Sequence, residues 1–330
     1  MLAAYYDRQG AADDVLVVGE LPEPEPGFGE VRVRVAISGV NPTDIKARTG
    51  FAGAPMAFPR IVPHHDGAGT IDKIGPGVPE AKLGERVWLY RAQYGRSYGT
   101  AAEFVVVPSA LAVSLPDNAS FESGACLGVA AITAHRCLFA DGDVRGRRVL
   151  VQGGGGAVGT AAILLAKWAG AWVAATVSRP EQEKVALDAG ADLVINRHSE
   201  DVAAAIRHAT KNAGVERIVD VDLANNVDVD IACLAPGGVV TAYATEDPAA
   251  RLTMPFRTAM FGSFVFRFVF FTTIPEEAFR LAVKEVTACV AAGCYRPHIG
   301  LEVPIQKIAQ AHAAQESGKV VGKILVRVGD

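Results

Sequence analysis

The feature that most constrains this chain is residues 149–179, VLVQGGGGAVGTAAILLAKWAGAWVAATVSR. An apolar run ending at Val151 enters Gly153, Gly154, Gly155 and Gly156, then Gly159, and the alanine- and leucine-rich stretch behind them has helical texture. A second apolar run, WVAATV, follows. Strand, glycine turn, helix and strand specify a βαβ unit, and Gly154, Gly156 and Gly159 fill the G-x-G-x-x-G spacing at its turn. Such glycines allow a tight turn and let N–H groups at the helix N-terminus meet a pyrophosphate. The expected dinucleotide contacts here are Gly154, Gly155, Gly156, Ala157, Val158 and Gly159. A plain glycine-rich surface turn is the competing reading, and it leaves the flanking strands unexplained. Residues 149–166 also form the longest uncharged stretch, but four consecutive glycines interrupt it where lipid tolerates no loosened backbone.

The end of the second strand selects the dinucleotide. Roughly twenty residues past the fingerprint an NAD site places an acid on the ribose 2′-hydroxyl. Here the residues are Val177, Ser178 and Arg179. No acid stands there to repel a 2′-phosphate, Arg179 offers a planar fork and Ser178 a hydroxyl, so NADPH is the expected cofactor. Lys184 is either a further phosphate contact or a solvated surface charge.

Around this unit the chain falls into three textures. Residues 1–117 are short β-like runs cut by Pro and Gly, such as VRVRVAISGV, ERVWLY and AEFVVVP, which read as a mostly antiparallel β domain. Residues 118–285 alternate apolar strands with alanine-rich helices, the pattern of a parallel sheet covered on both faces. Residues 286–330 read as helix, helix and strand that complete the first domain. The fold class is α/β. Half the residues are hydrophobic and the net charge is −4 with no basic run, which excludes a disordered chain and argues against nucleic-acid binding. Five cysteines without a CxxC pair, and an opening without the layout of a secretory signal, point to the cytoplasm. FGSFVFRFVFF, residues 261–271, is too short to span a membrane and reads as an edge strand that pairs with a second subunit.

SGVNPTDIKARTG (38–50), PHHDGAGTIDKIGPGV (63–78), GACLGVAAITAHRCLF (124–139), the glycine motif, DLVINR, VDVDLANN and the ending SGKVVGKILVRV together resemble the zinc-lacking medium-chain dehydrogenase/reductases, specifically the quinone oxidoreductases of zeta-crystallin type. The resemblance implies a GroES-like catalytic domain, a Rossmann doubly wound cofactor domain, an active cleft between them, and a homodimer or homotetramer. A catalytic zinc needs three protein ligands. In zinc-bearing relatives a Cys falls where Asn41 stands, a His and acid match His65 and Asp66, and a second Cys falls near Val129. One ligand in three does not hold a metal, and His64 and His65 are expected as satisfied polar groups.

The resemblance places Asn41 near nicotinamide and substrate, with Thr133 on the opposite wall, although both also suit plain turn and helix positions. Lys46 stands where relatives commonly have Tyr; it loses a hydroxyl and gains a group that binds phosphate or an oxyanion. Arg197 is either a third cationic contact to the 2′-phosphate or solvated, and Asn225, Tyr243, Phe264 and Lys323 complete the expected cofactor set. Without a metal to stabilise an alkoxide, hydride must go to an acceptor that delocalises charge. The expected activity is NADPH-dependent reduction of a small quinone, with conjugated enone or enoyl reduction as the alternative and a non-catalytic NADPH-binding role as the reading of a different class.

Overall fold

The computed structural model describes residues 1–245 and 247–329. They form two compact units, residues 1–130 with 299–330 and residues 131–298. The opening segment carries β1 (Leu2–Tyr5), α1 (Ala12–Val15), β2 (Val17–Glu20), β3 (Glu30–Val40), α2 (Pro42–Thr49), β4 (Asp66–Ile74), β5 (Arg86–Leu89), β6 (Phe104–Pro108), β7 (Ala112–Ser114) and α3 (Phe121–Gly124). The middle segment carries α4 (Ile132–Phe139), β8 (Arg148–Val151), α5 (Ala157–Trp168), β9 (Trp172–Val177), α6 (Pro180–Asp188), β10 (Leu193–Asn196), α7 (Val202–Ala209) and β11 (Val215–Asp220). It continues through α8 (Leu223–Cys233), β12 (Leu234–Ala242), α9 (Phe256–Phe261), β13 (Val265–Phe268) and α10 (Glu276–Ala291). The chain then returns to the first unit with β14 (Ile299–Pro304), α11 (Ile308–Ser317) and β15 (Lys323–Arg327).

In the first unit the sheet order is β14-β15-β3-β4-β5-β7, with β6 also on β3, and every pairing but β14 with β15 is antiparallel. The hub is β3, whose alternation Val31, Val33, Val35 points into the core while Arg34 faces outward. Arg32 departs from that pattern: its guanidinium is nearly buried, bonds Asp72 at 2.9 Å and lies 4.5 Å over the Phe104 ring.

The second unit is a wholly parallel sheet in the order β10-β9-β8-β11-β12-β13. Its inner strands β9, β8, β11 and β12 are largely buried on both faces, so they read as near-continuous apolar runs. Strand order reverses between β8 and β11, the switch point outside whose carboxyl ends doubly wound folds bind ligands. Both expected sheets, one mostly antiparallel and one doubly wound, are present.

The boundaries lie at 130/131 and 298/299, not at 117/118 and 285/286. A cut at 285 would split α10, one continuous helix packed on α4 and α5, and α3 packs on β3, β4 and β5 of the first unit. The aromatic segment 261–271 supplies only four strand residues, β13, at the edge of the parallel sheet, with Phe261, Phe268 and Phe270 exposed around it. Among the described residues no helix is long and apolar enough to cross a membrane.

Candidate functional site

The turn between β8 and α5 is built as its glycines require. Gly153 has φ +78°, in the left-handed region, and Gly154 N–H donates to the Thr176 carbonyl of β9 at 2.9 Å. Gly156 is the N-cap of α5 and no side chain caps that helix. The first-turn N–H groups of Ala157, Val158 and Gly159 therefore have no intrahelical acceptor and offer themselves to an anion. Two glycines of the motif differ in kind. A Cβ at Gly159 would meet the Gly153 carbonyl oxygen at 2.1 Å, so packing of turn on helix demands glycine. At Gly156 a Cβ would come no nearer than 3.5 Å to the Gly153 carbonyl oxygen, so the chain itself tolerates a methyl there and the open space is a cradle that a methyl would fill. That room, at an uncapped helix N-terminus, fits a dinucleotide pyrophosphate.

At the carboxyl edge of β9, Arg197 Nε donates to Ser178 Oγ at 2.8 Å while Arg197 N–H donates to the Val177 carbonyl at 3.0 Å. The turn after β10 thereby brings a guanidinium to the residue that a ribose 2′ substituent would meet. Ser178 N–H also donates to Gln182 Oε1 at 2.9 Å. Arg179, half-buried, is the N-cap of α6 ahead of Pro180. Lys184, by contrast, points to Asp188 one turn along, Nζ to Oδ2 2.6 Å, in an exposed pair. Asn225 Nδ2 donates to Asp222 Oδ2 at 2.7 Å, and Phe264 packs on the apolar core of the parallel sheet. Tyr243 follows β12, and burial raises its hydroxyl pKa. Thr133 is buried on α4.

In the first unit a buried ionic cluster gathers residues from both ends of the chain. Lys323, on β15, donates from Nζ to Asp66 Oδ2 at 3.0 Å and to Asn41 Oδ1 at 2.5 Å. Asn41 Nδ2 donates to Asp66 Oδ2 at 2.9 Å, and Val129 N–H donates to Asp66 Oδ1 at 2.9 Å. Of the residues that the resemblance matches to a zinc site, Asn41 and the Val129 N–H converge on the Asp66 carboxylate, which the Lys323 ammonium meets. Among the described residues no three His, Cys, Asp or Glu side chains gather as a metal site. The Asn41 amide is spent on this cluster, its second N–H lying 3.4 Å from the Gly39 carbonyl. Asn41 also caps α2, where Asp44 completes a capping box by accepting the Asn41 N–H at 2.7 Å. Burial, reinforced by the nearby Asp66 charge, pushes the Asp44 carboxyl up to about 8. Lys46, further along α2, has its ammonium 4.5 Å above the Phe51 ring.

A second chain of polar groups fixes Asp66 from behind. Arg48 Nε donates to His312 Nδ1 at 3.3 Å; His312 and His64 meet Nε2 to Nε2 at 2.9 Å; His64 Nδ1 meets Ser38 Oγ at 2.7 Å. Ser38 Oγ continues to Thr100 Oγ1 at 2.7 Å, and Thr100 donates to the Asp66 carbonyl. Arginine only donates, so one direction runs through the chain and sets both imidazole tautomers. Burial lowers both histidines, His312 to about 3 and His64 well below the usual range, so both are neutral. Burial likewise lowers His65 to about 4. The sequence marked Asn41 and Lys323 singly; their union with Asp66 had no local signal.

Residues 27–117 match the family described as alcohol dehydrogenase GroES-like domain, and residues 157–288 the family described as zinc-binding dehydrogenase. The quinone oxidoreductase of Rattus norvegicus is 31% identical over 323 residues, 96% of this chain and 94% of its own. Among solved structures, an NAD-dependent alcohol dehydrogenase superposes with TM-score 0.89 at 28% identity, with 100% of each chain covered. A mycobacterial protein complexed with NADPH superposes with TM-score 0.84 at 26% identity, covering 99% of this chain and 100% of that one. Two units of these topologies, with a glycine turn at the switch point, define a two-domain oxidoreductase. The chain belongs to the medium-chain dehydrogenase/reductase family, in its quinone oxidoreductase branch.

Proposed function

We propose that this protein is an NADPH-dependent quinone oxidoreductase that works without a metal. The observation that carries the cofactor reading is the end of β9, where Ser178 and Arg197 are bonded and Arg179 stands beside them with no acid at the ribose position. The glycine turn and the open N-terminus of α5 would hold the pyrophosphate, and Ser178, Arg179 and Arg197 the 2′-phosphate. Bound NADPH supplies the hydride. The relatives named quinone oxidoreductase support the acceptor class.

The chain's own part is orientation and charge placement. Lys323 and Asp66 lock the Asn41 amide and with it the start of α2, so Asn41 acts as a positioning residue for the segment that carries Lys46. A quinone places its new charge on a conjugated oxygen that solvent protonates, so no strong internal acid is required. A simple alcohol needs a cation or base to hold the alkoxide, and the ammonium at the converging positions is already engaged by Asp66 and Asn41. We also assign the exposed edge at β13 to contact with a second copy, and the five free cysteines, four of them buried, to a reducing cytoplasm.

Binding titrations and steady-state rates test the reading. NADPH should bind about tenfold to a hundredfold tighter than NADH, the worth of a charge-assisted phosphate contact, and Arg179→Asp should erase the difference. Small quinones should turn over fastest, conjugated enones more slowly and alcohols negligibly. Equal affinities would refute the cofactor assignment; enones ahead of quinones would favour the enone reductase reading; alcohol oxidation ahead of both would overturn the metal-free mechanism.

A further inference from the structure

The carboxyl edge of the parallel sheet holds a pair of acids outside the reading above. Asp220 ends β11 and Asp230 lies on α8; both are fully buried, and each carboxyl acts electrostatically on the other. Two buried carboxylates that act on one another repel, so a proton on one of them relieves the pair. Its location follows from the partners. Both Asp220 oxygens accept from donors, Oδ1 from the Asp222 N–H and Oδ2 from Asn226 Nδ2 at 3.1 Å. Asp230 Oδ1 accepts from Gln152 Nε2 at 2.8 Å, but Asp230 Oδ2 has no donor. A buried oxygen in that position is satisfied if it carries the proton and donates it to Asp220.

The pair is wired to the glycine turn. Gln152 follows β8 directly, and its Oε1 accepts from Thr176 Oγ1 at 2.7 Å. Thr176 Oγ1 in turn accepts from the Gly153 N–H at 3.1 Å. Gln152 N–H bonds the Val219 carbonyl at 2.9 Å, so this network straddles β8 and β11 at the switch point. The other titratable groups facing the pair are Asp222 at the N-cap of α8, Cys233 at the end of that helix and Tyr243 after β12; Arg207 and Asp201 of the α7 region act on Cys233. None of Asp222, Cys233 and Tyr243 brings positive charge.

We propose that Asp220 and Asp230 share one proton, and that the protonated pair is the positioning device of the dinucleotide turn, holding Gly153 through Gln152 and Thr176. The inference rests on the dinucleotide reading of that turn. Burial raises both carboxyls above the ordinary range, and Asp230 furthest, because the Asp220 charge adds to its burial whereas the interaction with Asp230 pulls Asp220 back. The folded protein therefore keeps a proton at pH values where the unfolded chain has lost it, and stability falls as pH rises through that window. By the same linkage, a dinucleotide that binds the held turn loses affinity once the pair ionises.

Asp230→Asn is the decisive variant, because its amide oxygen still accepts from Gln152 and its NH₂ still donates to Asp220 with no proton to lose. Melting midpoints without cofactor, from about pH 6 to 9, should fall more steeply in the wild-type protein than in Asp230→Asn. NADPH and NADH titrated separately should each bind the wild type at least about threefold more weakly at pH 9 than at pH 7, and bind Asp230→Asn equally at both. Asp230→Ala, which strands Gln152, should weaken both cofactors at every pH. Parallel melting slopes in wild type and Asp230→Asn would overturn the shared proton. Diverging slopes with identical pH profiles of binding would overturn its hold on the turn. If neither dinucleotide binds at any pH, the cofactor reading fails instead, and the melting slopes still decide the proton.

Discussion

The two units bury charge by opposite means. In the first, the Asp66 carboxylate is met by an ammonium delivered on β15, and Asn41 and the Val129 amide complete its shell. In the second, Asp220 and Asp230 act on one another with no cation facing them among the described residues, and one keeps its proton. The first solution depends on closing the chain on itself, since Lys323 lies 282 residues from Asn41 and 257 from Asp66. The second lies within one βα step, from the end of β11 to α8. A charge paired across the fold makes the structure depend on its partner, whereas a shared proton makes it depend on pH.

The largest effect expected from this contrast is on Lys323→Met. It leaves Asp66 buried without its cation and should cost about 3–5 kcal/mol in urea unfolding. Adding Asp66→Asn should restore a large part of that loss, because no buried charge is then stranded. A Lys323→Met protein as stable as the wild type would mean that the pairing in the first unit carries no weight.

The glycine turn gives the next contrast, inside one motif. Gly159→Ala forces a methyl onto the Gly153 carbonyl and should destabilise by about 1–3 kcal/mol. Gly156→Ala should change stability by less than about 0.5 kcal/mol while weakening dinucleotide binding at least tenfold, because the space it fills belongs to the ligand. Calorimetry and titration on the pair separate the two; equal stability loss in both would show that Gly156 serves packing after all.

Asp44 offers a way to blur the comparison, for it is a proton-holding acid within the charge-paired unit. Its carboxyl is pushed up to about 8, so its contribution is complete below the ordinary carboxyl range and is lost as pH rises from about 4 towards 8. The slope is at most about 1.4 kcal/mol per pH unit. Asp44→Asn, which still accepts the Asn41 N–H, should flatten the fall in unfolding free energy between pH 5 and 7. An unchanged slope would return the first unit to pure ion pairing. The smallest effect on the protomer is expected at β13. Phe268→Glu, on an exposed edge, should leave the fold within about 0.5 kcal/mol and shift sedimentation towards the 34.6 kDa monomer. A wild type that already sediments as a monomer removes the interface from that edge.

Some of this was open to reading along the chain, and some was hidden for stated reasons. The glycine turn was legible because strand, turn and helix are contiguous and the close approach at Gly159 admits only glycine. Asp230 was half legible: Leu223, Val227 and Ile231 lie on one helical face, and Asp230 sits beside them whereas Asp228 is exposed. The V-D-V-D run by itself does not say which acid turns inward. Lys184 shows the converse, since a cation about one turn into α6 goes instead to Asp188.

What the sequence determined alone is what local spacing can encode: two textures of strand, the doubly wound unit, the dinucleotide turn, and the missing acid after β9. The tertiary structure decided which polar groups became partners. Lys323, Asp66 and Asn41 meet because β15 pairs with β3 and β3 with β4, a ladder between segments hundreds of residues apart. The unit boundaries were decided in the same way, by which surface α3 and α10 bury. Desolvation then fixed protonation, since a carboxyl's charge depends on the groups that folding places around it.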